Sequence, residues 1–247
     1  MSLTYRSYQE FHRASIEQRD AFWAEQAQLI DWHKPYEQVC DYSQPPFAKW
    51  FAGGQTNLCH NAVDRHLATR PDQNALIFVS TETNTEKTYS FRELHAEVQR
   101  MAAILKAQGV AKGDRVLIYM PMIAEACFAM LACVRIGAIH SVVFGGFASH
   151  SLATRIDDAQ PKVIVSADAG MRGGKVVPYK HLLDEAISLS THQPVAVLMV
   201  NRGLADFAKV DGRDIDYASE RERHLNAEVP CEWVDSTHPS YILYTSG

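Results

Sequence analysis

Many of the features that most directly declare a function are missing from this sequence. No apolar run approaches the ~18 residues that a membrane span needs. The chain opens polar, with Thr4, Arg6, Gln9 and Glu10, so no secretory leader is expected. A surplus of positive charge is also lacking: 24 Lys and Arg stand against 29 Asp and Glu, a net −5, which argues against a dedicated nucleic-acid binder. Cysteine is scarce and odd in number, at Cys40, Cys59, Cys127, Cys133 and Cys231 with no CxxC pair. That pattern excludes a disulfide framework and fits reduced thiols in a cytoplasmic protein. No strand is followed by GxGxxG, and neither GxxxxGK[ST] nor a GxSxG elbow occurs. A dinucleotide fold of the dehydrogenase type, a P-loop NTPase and an α/β-hydrolase therefore lose their usual signatures. Internal repeats and low-complexity segments are absent as well.

What the chain has is alternation. "ALIFVST", "RVLIYM" (115–120), "HSVVF" (140–144), "KVIVSA" (162–167), "VAVLMV" (195–200) and "YILYT" (241–245) are short, apolar and mostly β-branched. Most of them alternate with helical stretches, at 57–70, from Ser90 to Gly109, and over 123–136, 152–160 and 179–190. Ser90-Phe91-Arg92-Glu93 supplies a capping box for the second of these helices. Fully apolar strands between helices predict an α/β fold with a mainly parallel sheet flanked by helices. The first 45 residues read differently. "SYQEFHRASIEQRDAFWAEQAQLIDW" offers two candidate capping boxes, Ser7–Glu10 and Ser15–Gln18, and predicts two short helices before a loop at Pro45-Pro46. The division expected is a helical extension, 1–45, and an α/β unit, 46–247.

In parallel sheets ligands sit beyond the carboxyl ends of the strands. Four loops fall there: Met120-Pro121, Phe144-Gly145-Gly146-Phe147, residues 167–175, and Thr245-Ser246-Gly247. The paired glycines of "FGGF" serve either a tight turn or a close backbone approach. "ADAGMRGGKVVPYK" places Arg172 and Lys175 around Gly173-Gly174, which suits an anion or a solvated surface loop. Metal ligation is not expected: Cys59, His60 and His66 lack zinc-ligand spacing, and Cys127 and Cys133 face different ways on one helix.

Several stretches resemble the N-terminal part of the AMP-forming acyl-CoA synthetases of the adenylate-forming superfamily. They are "WFAGGQTNLCHNAVDRHL", "TYSFRELHAEVQRMAAILKAQGVAKGDRVLIYMPM", "ACVRIGAIHSVVFGGFASHSLATRIDDAQPKVIVSADAGMRGGKVVPYK" and the final "YILYTSG". They cover most of the chain in the family's order. The closest branch is the acetyl- and propionyl-CoA synthetases, and "GGQTNLCHNAVDRH" with "DGRDIDYASER" leans toward propionate-using members. The resemblance implies a two-step reaction in which a carboxylate is activated with Mg·ATP to an acyl-adenylate and then passed to coenzyme A. It assigns Thr245, Ser246 and Gly247 to the start of a loop around the ATP phosphates. It assigns Arg172, Gly173, Gly174 and Lys175 to the nucleotide end of CoA, and Phe144 and Gly146 to the path of the pantetheine arm, for which the missing Cβ of Gly146 would leave room. The family often has Arg where Lys175 stands here, which keeps the charge and loses the fork.

The family's remaining phosphate loop, acyl pocket, adenine contacts and adenylation lysine would lie past Gly247. No catalytic residue or metal ligand is therefore assigned within the chain, which is expected to be an inactive N-terminal portion. The partners expected are propionate or acetate, ATP and CoA, with no nucleic acid and no membrane. Self-association through an uncovered sheet edge is a further expectation. An acetate-using ligase and a non-catalytic CoA- or nucleotide-binding α/β module remain alternatives.

Overall fold

The structure, a computed structural model, describes residues 7–245. Ser7 accepts the Glu10 amide on its hydroxyl (3.2 Å) and opens α1, Tyr8–Glu17. Ser15 caps nothing. It lies inside α1 and donates back to the His12 carbonyl, while α2, Arg19–Gln26, begins after Gln18 without a side-chain cap. A serine within a helix has a nearby carbonyl to bond, and here that local bond wins over a second cap.

Where a loop was expected, the chain forms an antiparallel hairpin, β1 Gln38–Gln44 and β2 Phe47–Ala52, turning at Pro45-Pro46. The hairpin thus runs across the expected 45/46 division. Its strands are largely solvent-facing, so they carry no continuous apolar run that periodicity could detect. They are held by aromatic edges instead: Trp23 meets Trp50, and Trp32 meets Phe51 and Tyr36.

Two residues, Gln55–Thr56, make β3, and Leu58–Ala62 make the short α3, capped by Asn57. The hairpin β4 Asn74–Ser80 and β5 Thr85–Ser90 leads into α4, Phe91–Ala107, whose start is the expected reciprocal box of Ser90 and Glu93. Next come β6 Arg115–Met120, α5 Ala124–Arg135, β7 Ile139–Phe144, α6 Ser149–Ala159 and β8 Val163–Ala167. The small hairpin β9 Gly170–Arg172 and β10 Lys175–Val177 precedes α7, Tyr179–Leu189. After β11 Ala196–Val200 follow β12 Asp214–Asp216, α8 Tyr217–Arg223, β13 Val234–Asp235 and β14 Tyr241–Ile242.

Six of these strands form one parallel sheet in the order β12-β11-β8-β6-β7-β14. Alternate residues feed opposite faces. Val116, Ile118, Val163, Val165, Ala196 and Leu198 join α4, α5 and α8 in one core. Leu117, Tyr119, Ile164, Val197 and Met199 join α6 and α7 in the other. β8 and β11 are buried along their whole length and are apolar except at Ser166, whose hydroxyl donates to the Tyr119 carbonyl.

Two polar side chains tie distant segments into this frame. The buried Asn57 donates its amide to the carbonyls of Val134, Arg135 and Glu232. Arg135, almost wholly buried, grips Asp64 with both ends of its fork (2.9 Å each) and the Val229 carbonyl with Nε. Burial alone would raise the Asp64 carboxyl, but hydrogen bonds from His95 and Arg135 outweigh it and hold the group well below the usual carboxylate range.

Candidate functional site

The chain leaves β6 to α5 on one side of the sheet, and after β7 crosses back to β8 on the other side of β6. At that reversal the strand ends open a cleft of about 890 Å³. Each of the four loops singled out in the sequence reaches it. Met120-Pro121 follows β6, Phe144–Phe147 follows β7, Met171 and Arg172 follow β8, and Tyr244 and Thr245 follow β14. The strand expected over 241–245 pairs only through Ile242, which frees the next three residues to turn into the cleft. Ser246 and Gly247 lie outside the described residues.

Phe144, Gly146 and Arg172 are in direct contact. The Arg172 guanidinium lies over the Phe144 ring, 5.6 Å from its centre. A Cβ on Gly146 would come within 2.6 Å of the Phe144 ring and 2.9 Å of Arg172 Nη1. The space that this glycine leaves is therefore filled by those two side chains, not left open. Its neighbour Gly145 is similarly pressed, since a Cβ there would fall 2.2 Å from the Tyr179 hydroxyl.

Arg172 and Lys175 face each other across a two-residue hairpin. Gly173 and Gly174 make the turn with φ of 57° and 76°, both left-handed, as a tight hairpin connection requires. The loop expected around these glycines is thus a defined β-turn with both glycines in open solvent. Two cations directly opposite on paired strands repel each other, a local cost that marks a place where an anion would be welcome. Neither side chain makes an ion pair among the described residues. Arg172 lines the cleft, whereas Lys175 stands beside it and does not.

The sequence reading missed four residues here. Tyr179 packs beneath Gly145 and Gly170 as the first residue of α7. Arg155 stacks between the rings of Phe147 (4.4 Å) and Tyr244 (5.0 Å), pinning the end of β14 to α6. Tyr244 donates to Asp158, and burial together with that carboxylate pushes its phenol up to about 12. Glu82, on the β4–β5 turn, accepts the Met171 amide at 3.2 Å. Tyr179 and Tyr244 lie at the edge of stretches already singled out, but nothing local marks their contacts, and Arg155 and Glu82 become visible only once the strand order is known.

One group of metal-ligating type stands elsewhere among the described residues, Cys59, Asp64 and Cys231 within 4.8 Å of one another. The Arg135 guanidinium already sits on it, 3.5 Å from Cys59 Sγ, and opposes any cation there.

Residues 63–247 match the family model described as AMP-binding enzyme, and residues 8–62 match that of the acetyl-coenzyme A synthetase N-terminus. The chain belongs to the AMP-binding enzyme family. It is 61% identical to the propionate–CoA ligase of Escherichia coli (strain K12) over 98% of this chain and 38% of that protein. With the acetyl-coenzyme A synthetase of Methylobacterium radiotolerans it shares 49% over 97% of this chain and 38% of the relative. The structure of the acetoacetyl-CoA synthetase from Streptomyces lividans superposes with a TM-score of 0.87 at 29% identity, covering 98% of this chain and 37% of that one. The chain thus spans under two-fifths of the length of these relatives. The match to an N-terminal portion and the parallel α/β architecture both agree with the reading of the sequence. No helix among the described residues is long and apolar enough to cross a membrane.

Proposed function

We propose that this chain is the N-terminal portion of a short-chain acid–CoA ligase, forming propionyl-CoA through an acyl-adenylate. The observation that carries the ligand assignment is the Arg172–Phe144–Gly146 contact, a cation with no carboxylate partner among the described residues at the rim of an apolar cleft. Coenzyme A fits such a site in kind. Its phosphates suit the guanidinium of Arg172 and the ammonium of Lys175, and its pantetheine arm suits the apolar wall of Phe144, Val142 and Leu243. When bound, CoA supplies the thiol that accepts the acyl group.

The chain's own part is to bind and orient. Arg172 neutralises phosphate charge, the Phe144 ring gives the arm a surface, and Thr245 begins the segment that the family resemblance places around the ATP phosphates. ATP and magnesium belong to the same proposal, since a carboxylate must gain a good leaving group before a thiol can take its acyl group. Propionate is favoured over acetate by the relatives: 61% identity to the propionate–CoA ligase of Escherichia coli against 49% to the acetyl-coenzyme A synthetase of Methylobacterium radiotolerans.

The direct test uses a full-length ligase carrying this chain, with AMP release followed in the presence of ATP, CoA and either acid. A higher kcat/KM for propionate than for acetate is expected. Equal or reversed preference would reject propionate, and no CoA-dependent AMP release would reject the ligase.

A further inference from the structure

Arg172 lies on a hairpin of only a few residues, and one short carboxylate bridge anchors the strand that carries it. Glu82 Oε1 accepts the backbone amide of Met171, the residue directly before Arg172. Its other oxygen, Oε2, accepts Arg202 Nη2 at 2.6 Å. Arg202 is in turn fixed at both ends. Nη1 donates to the Ala169 carbonyl (3.0 Å), one residue before β9, and its amide donates to the buried carboxylate of Asp168 (2.9 Å). Asp168 also accepts the amides of Leu204 and Ala205. The Arg202 side chain is 7% exposed and that of Glu82 26%, so the bridge is shielded, though Glu82 lines the cleft.

We propose that Glu82, clamped by Arg202, is a positioning residue that sets the β9 backbone so that Arg172 points at the anion of the ligand. This rests on the reading that Arg172 meets a CoA phosphate. Glu82 is a carboxylate in the wall of an anion-binding cleft, which by charge alone opposes phosphate binding. Its pairing with Arg202 cancels that charge and leaves Oε1 as a fixed acceptor for Met171. The two possible roles predict opposite signs. If Glu82 were merely a nearby negative charge, its removal would tighten anion binding. As a positioning residue, its removal frees the Met171 amide and the hairpin and weakens binding.

The test is calorimetric titration of a full-length ligase carrying this chain with CoA and with 3′-dephospho-CoA, which lacks one phosphate. Wild type, Glu82→Ala, Glu82→Gln and Arg172→Ala are compared, with thermal melts and circular dichroism as fold controls. Wild type is expected to prefer CoA, and Glu82→Ala to lose about tenfold in that preference, the scale of one charge-assisted hydrogen bond. Glu82→Gln keeps an acceptor for Met171 and should retain the preference to within about twofold. A Glu82→Ala chain that is folded and keeps or raises the preference overturns the positioning role while leaving the CoA reading intact. Loss in Glu82→Gln equal to that in Glu82→Ala overturns it too, since the amide acceptor is then irrelevant. Absence of any CoA preference in wild type, or its survival in Arg172→Ala, defeats the underlying reading itself.

Discussion

Arg135 and Arg172 show how one side chain serves two ends. Arg135 is 3% exposed and spends its fork on Asp64, its Nε on Val229 and its edge on Cys59. Arg172 is exposed, stacks on one ring, and makes no ion pair among the described residues. A guanidinium whose donors are all matched builds structure. One whose ring contact holds it in place, with its donors uncommitted, is available to a ligand. Near each lies a small polar cluster, yet only the second opens onto a cleft.

Substitution should separate the two sharply. Arg135→Ala leaves the partly buried Asp64 carboxylate beside two thiols with only His95 for an ion-pair partner among the described residues, and we expect a loss of about 3 kcal/mol in chemical denaturation. A melt within error of wild type would refute the structural role.

His140 tests what burial does to a charge without partners. Its Nδ1 is buried and unpaired, its ring stacks on Tyr241, and desolvation lowers its pKa to about 4 from 6.5. The unfolded chain then binds the proton more readily than the folded one. Stability is therefore expected to fall as pH drops below about 6.5, with the loss complete below about 4 at up to ~3 kcal/mol. Urea titrations of wild type and His140→Gln from pH 7 to 4.5 measure this, and parallel slopes would contradict it.

Arg172→Ala should do the reverse of Arg135→Ala. Stability moves by no more than about 0.5 kcal/mol, while CoA affinity drops about tenfold or more in titration calorimetry. A comparable loss of both would erase the distinction drawn above. Gly146→Ala sits between the two. The new methyl displaces only the ends of flexible side chains, so the folding cost stays below about 1 kcal/mol, but Arg172 and Phe144 must part and CoA binding weakens by about fivefold. Unchanged affinity would show that their contact is dispensable. The smallest effect belongs to Lys175→Arg, where a fork replaces a point charge and affinity should rise roughly twofold. Unchanged affinity would place Lys175 outside the anion's reach, and a decrease would show that the fork fits worse than the point charge.

The sheet was largely legible because β6, β8 and β11 are short and apolar apart from Arg115 and Ser166, and because Ser90 caps α4 while Gly109 and Gly137 stop α4 and α5. The hairpin at 38–52 was not, since surface strands bury too little to leave a pattern. β12 escaped for a related reason: Asp214 and Asp216 break its apolar run, one caught by Arg213 and Lys180 and the other capping α8. Loop identities at the strand ends gave the candidate site. What they could not give is Glu82, Arg155 and Tyr179, which approach from elements distant in sequence and are recruited by topology alone.

The clasp made by Asn57 carries a consequence for how the chain acquires its shape. Its three carbonyl partners lie 77, 78 and 175 positions downstream. During synthesis the first two can engage once α5 has emerged, but the third must wait until Glu232 is made. Only later still does β14 add beside β7, whose edge stays bare in the interval. The growing chain therefore passes through a stage with a half-closed clasp and an open strand edge, the stage at which a wrong partner strand would do most harm.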